Sequence, residues 1–88
     1  MDIKRCAAAG TMESSDAYVE IEPGQGIVIQ LESVVKEQFG DAILEVVQSV
    51  LLEQGVENAG VRVIDRGALE CVIRARVETA VLRGREEA

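Results

Sequence analysis

The spacing of apolar residues changes period part-way along the chain, and that change limits what it can fold into. Ala17, Val19 and Ile21 alternate with Tyr18, Glu20 and Glu22, the period of two that marks a half-buried strand. Further on, Ile43, Val46, Val47, Val50 and Leu51 recur at i, i+3, i+4, i+7 and i+8, one stripe of an α-helix. Both periods in one short chain predict an α+β fold. With 88 residues, about 60–65% of the unfolded surface is buried, enough for a single thin core. One Tyr, one Phe and no Trp leave Val, Ile, Leu and Ala to build it.

The chain therefore reads as one domain, residues 1–88, with loose ends at 1–5 and 85–88. A strand is expected over 7–13 and another over 17–22. The only Pro then stands beside two glycines in Pro23-Gly24-Gln25-Gly26, a break. Ile27 to Leu31 is a third strand, so the first third predicts an antiparallel meander. The main helix is expected over about 41–54, with Asp41 as N-cap and Gly55 just past the end. Val61 to Asp65 is a fourth strand. Over 69–77, Leu69, Cys71, Ile73, Ala75 and Val77 alternate with polar residues except at Val72, while Leu69, Val72, Ile73, Val77, Ala80 and Val81 also fit a helical stripe. Asp65-Arg66-Gly67 resembles a hairpin turn, which favours a strand there and a short C-terminal helix over about 78–84. The predicted architecture is an antiparallel sheet of four to five strands, an N-terminal meander plus a C-terminal hairpin, with two helices.

Between the first two strands lies Gly10-Thr11-Met12-Glu13-Ser14-Ser15-Asp16. Ser and Asp form turns because their short side chains bond the local backbone. A hairpin tip of this kind holds two hydroxyls out in water, flanked by Glu13 and Asp16. Taken alone, such serines are ordinary turn residues.

Nine basic residues against sixteen acidic give a net charge of −7. That argues against nucleic acid, whose binders need a positive footprint, and against anionic membranes. Residues 1–60 hold three basic and eleven acidic groups, residues 61–88 six and five. The acidic part would suit a basic partner surface; a generic solubilising surface is the plainer reading. With no His and two cysteines outside any metal-ligand spacing, zinc sites and His-based acid–base or nucleophilic catalysis are excluded within the chain. Cys71 is expected on a strand's inner face as a buried thiol, Cys6 near the surface. Two thiols without a secretory signal or a membrane-length apolar run predict a soluble cytoplasmic protein. Gly10, Gly40 and Gly67 read as turn or packing glycines. Arg62, Arg74 and Arg76 would share the polar side of the C-terminal hairpin, a surface for a partner or for phosphates.

Three segments are familiar together: Ala-Gly-Thr-Met-Glu-Ser-Ser-Asp at 9–16, Glu-Gln-Phe-Gly-Asp-Ala-Ile at 37–43 and Gly-Ala-Leu-Glu-Cys-Val-Ile-Arg-Ala-Arg-Val-Glu at 67–78. In order and spacing the chain resembles the acyl carrier (gamma) subunit of citrate lyase over nearly its whole length. The resemblance implies a non-catalytic carrier with phosphoribosyl-dephospho-CoA attached through a phosphodiester to a serine, which by position in the motif is Ser14. The family usually has Gly next, where this chain has Ser15, so a second hydroxyl stands beside the first. The resemblance further implies that acetyl and citryl thioesters are presented to the alpha (transferase) and beta (lyase) subunits during cleavage of citrate to acetate and oxaloacetate. A separate transferase would attach the prosthetic group. Ordinary phosphopantetheine carriers are helical bundles with an Asp-Ser-Leu signature that this chain lacks.

Two alternatives stand beside that reading. The carrier subunit of malonate decarboxylase uses the same prosthetic group and a similar Ser-x-Asp turn, although Phe39-Gly40-Asp41 and 68–78 favour citrate lyase. A small adaptor with no covalent group would dock partners through its acidic face alone. A free-standing enzyme is disfavoured by the missing His.

Overall fold

The computed structural model describes residues 2–86, with the backbone alone for Lys36. Its order is β1 (Ala7–Gly10), β2 (Ala17–Glu22), β3 (Ile27–Ser33), α1 (Lys36–Glu53), β4 (Ala59–Asp65) and α2 (Glu70–Arg85). The α+β class, the four strands and the main helix follow the sequence reading, but the sheet is mixed. Its strand order is β1-β2-β4-β3. β1 pairs antiparallel with β2, Ala9 opposite Val19, and β2 antiparallel with β4, Val19 opposite Val63. β3 runs parallel to β4, Leu31 opposite Val63.

The expected meander is thus corrected: β3 crosses to the far edge and β4 inserts between it and β2. Parallel neighbours need a crossover of a dozen or more residues, which α1 supplies. In the central strand β4, Ala59, Val61 and Val63 are buried on one side, while the other side carries buried Ile64 beside exposed Arg62.

The expected strand over 69–77 is also corrected. The segment belongs to α2, whose buried residues are Ile73, Val77, Ala80, Val81 and Gly84. That stripe continues past the alternating stretch at helical spacing, and it decides the matter. Asp65-Arg66-Gly67 is accordingly a strand-to-helix turn, not a hairpin. The Asp65 carboxylate, 1% exposed, fixes it by accepting from the Ala68 N–H at 2.9 Å and the Ser33 hydroxyl at 2.8 Å. Cys71 falls on the solvent side of α2 and is exposed, like Cys6.

α1 starts earlier than expected. Val35, not Asp41, takes the N-cap place, without a side-chain cap; Ser33 Oγ instead accepts the Val35 N–H. The C-terminal end follows the sequence. Gly55 N–H bonds Leu52 O and Val56 N–H bonds Leu51 O, the paired bonds of a Schellman motif. Ile43, Val47, Val50 and Leu51 are buried, while Val46 is half-buried and packs against the core. Residues 3–5 are tied down rather than loose. Ile3 is buried, and the Lys4 and Arg5 N–H groups both bond Gly84 O. Arg85 closes α2, while Met1, Glu87 and Ala88 lie outside the described residues.

Candidate functional site

The connection between β1 and β2 is built from the backbone outward. Gly10 has φ +94°, and a Cβ there would overlap the Ala17 carbonyl oxygen, so only glycine fits. β1 therefore ends at Gly10, short of the expected residue 13. Thr11 Oγ1 then accepts the Glu13 N–H at 3.2 Å, and Asp16 N–H returns to Glu13 O at 3.1 Å. That closes a four-residue turn with Ser14 and Ser15 as its central pair.

Ser15 has φ +65°, alone among the described non-glycine residues in being positive. Its N–H bonds Arg66 O at 2.8 Å, and Arg66 N–H bonds Asp16 O at 2.9 Å. Two residues thus oppose one across the ladder, with the first in the left-handed region, which is a G1 bulge. Glycine favours that place because it has no Cβ to crowd the carbonyl. The bulge gives a physical reason why glycine would suit the position that Ser15 fills here.

Asp16 locks the turn. Thr11 Oγ1 donates to its Oδ2 at 2.6 Å and the Ala17 N–H to its Oδ1 at 2.7 Å. Arg76, on α2, grips both oxygens at 3.0 Å, the fork-to-carboxylate geometry of a strong charged pair. The Asp16 side chain keeps 15% exposure. The Arg76 guanidinium first, then Thr11 and the Ala17 N–H, lower its carboxyl from the ordinary 3.8 to about 2.

Ser14 and Ser15 are both exposed, and neither hydroxyl has a hydrogen-bond partner among the described residues. Arg62, Arg74 and Arg76, expected on one surface, are separated. Arg62 pairs with Glu20 on the open face of the sheet, Arg74 with Glu53 between the helices, and Arg76 with Asp16. The clamp was invisible to sequence reasoning because Asp16 and Arg76 are 60 residues apart.

A family profile described as malonate decarboxylase delta subunit (MdcD) matches residues 4–84. The citrate lyase acyl carrier protein of Escherichia fergusonii is 53% identical over 89 residues, covering 99% of this chain and 92% of the relative. The chain belongs to the citrate lyase acyl carrier protein family. Another member, the citrate lyase acyl carrier protein of Streptococcus mutans, is 51% identical over 85 residues, or 94% of this chain and 83% of the relative. A chain in the crystal structure of a Pseudomonas malonate decarboxylase hetero-tetramer in complex with malonate superposes with a TM-score of 0.76. It is 25% identical, over 88% of this chain and 80% of that one. These relatives are named as acyl carrier proteins. Among the described residues of this carrier, no helix is long and apolar enough to cross a membrane.

Proposed function

We propose that this chain is the acyl carrier subunit of citrate lyase, working in the cytoplasm, with Ser14 as the point of attachment. The observation that carries the reading is an exposed hydroxyl with no hydrogen-bond partner among the described residues, set in a turn whose backbone is held without it. Phosphoribosyl-dephospho-CoA, joined to Ser14 Oγ through a phosphodiester, would supply a thiol to hold acetyl or citryl as a thioester. The open tip fits such a group because no neighbour need move to admit it. Gly10, Thr11, Asp16 and Arg76 fix where the tether begins, and the chain performs no bond-making step itself. Tethering replaces dilute encounter with an effective concentration on the order of millimolar, so a fixed anchor serves successive visits to transferase and lyase subunits. Ser14 is chosen over Ser15 by its position in the motif, while the Ser15 backbone forms the bulge.

Reconstitution with the transferase and lyase subunits and the prosthetic-group transferase tests this. Acetate and oxaloacetate should form from citrate, and Ser14→Ala should abolish turnover while Ser15→Ala retains it. Full turnover with Ser14→Ala would remove the reading. The likeness to the malonate decarboxylase chain supports a second reading as that enzyme's carrier, in which case assembly and turnover appear only with malonate decarboxylase subunits.

A further inference from the structure

The attachment turn is crowded with negative charge before any phosphate arrives. Glu13 and Asp16 flank Ser14, and a phosphodiester would add another anion within a few ångströms. Arg76 offsets Asp16 and is used up in doing so, with both Asp16 oxygens engaged. Arg62 is spent on Glu20 and Glu32 and Arg74 on Glu53. Arg5 takes Glu86, and Arg83 bonds the Ala8 carbonyl.

Arg66 differs. Its side chain is exposed and makes no hydrogen bond or ion pair with any described residue. Its main chain, however, is the partner of the bulge, bonded to both Ser15 and Asp16. Opposed residues across a ladder lie about 5.5 Å apart and successive Cα atoms 3.8 Å, which puts the Arg66 and Ser14 Cα atoms within about 9 Å of each other. An arginine fork matches two phosphate oxygens at once, which a lysine does not.

We propose that Arg66 is a phosphate-binding residue that holds the serine-linked phosphodiester against the tip, so that the arm leaves the carrier in a set direction. This rests on Ser14 being the attachment site.

Nitrogen-15-labelled carrier, unloaded and loaded, provides the test. Intact mass first establishes loading. On loading, the Arg66 Nε–H resonance should shift while those of Arg62 and Arg74 stay. The phosphorus resonance of the diester should be broad in the parent and sharpen in Arg66→Ala, towards the width of an unrestrained serine phosphodiester. Arg66→Gln, which keeps more of the side chain's bulk, should sharpen it too. An unmoved Arg76 Nε–H resonance reports that the turn is intact in each variant. A loaded carrier whose Arg66 resonance does not move, or whose phosphorus line ignores both variants, overturns the role of Arg66 and leaves Ser14 standing. An Arg66 resonance that moves only when the transferase subunit is added also overturns it, as a docking contact. A chain that gains no mass takes both readings down.

Discussion

Strand β2 is flanked by two reversals that share a positive-φ glycine and little else. Residues 23–26, between β2 and β3, carry the only Pro, and Gly26 has φ +70° with open space around the place of a Cβ. That reversal is tied to the start of β4 by two bonds: Gly26 N–H bonds Asn58 Oδ1 and Gly26 O accepts the Ala59 N–H. Residues 11–16 have no Pro, yet are held by a bulge to β4 and by a charged fork from α2. The strongest turn signal in the sequence therefore marks the plainer corner. Both corners have long-range partners, and what sets 11–16 apart is the charged fork of Arg76 on Asp16. That fork suits the proposed anchor, because an anchor must be exposed and still fixed in place.

The largest difference between the corners should come from their glycines. Gly10→Ala adds a clash with backbone to left-handed strain and should cost about 3 kcal/mol or more. Gly26→Ala bears the strain alone, about 1–2 kcal/mol. Urea unfolding measures both, and equal losses would break the comparison. Next come the arginines. Arg76→Ala strands a mostly covered carboxylate and should lower Tm clearly, whereas Arg62→Ala removes an exposed pair worth at most about 1 kcal/mol. A more damaging Arg62→Ala would reverse the account of what holds the tip.

A pH effect follows from the same clamp. Because the folded-state Asp16 carboxyl is depressed from 3.8 to about 2, its contribution is present above 3.8 and is lost as pH falls from there through about 2. The stability gap between the parent and Asp16→Asn should therefore close across that window. A gap that stays constant from pH 5 to pH 2 would show that the charged fork does not hold the turn. The smallest effect is a gain. Ser15→Gly relieves the left-handed strain, less what a freer unfolded chain takes back, for a net stabilisation of up to about 1 kcal/mol; a loss would argue that the Ser15 side chain has a structural partner.

The sequence revealed what depends on neighbours along the chain. Alternation located β2, the apolar stripe located α1, and Gly55 its end. It misplaced what depends on distant partners. β3 reads as β2's neighbour until β4 is inserted between them. The alternation from Leu69 to Val77 imitates a strand because residues at a helical spacing of four also match a period of two. The proposal of Ser14 rests on the motif around it, and the Asp16–Arg76 fork was not legible at all, since nothing local ties position 16 to position 76.

Intact mass of the chain, purified after co-expression with the citrate lyase subunits and the prosthetic-group transferase, tests the central claim most directly. The account predicts one added prosthetic group on the parent and on Ser15→Ala, and none on Ser14→Ala. A bare parent chain, or an increment that survives Ser14→Ala and vanishes with Ser15→Ala, would contradict it.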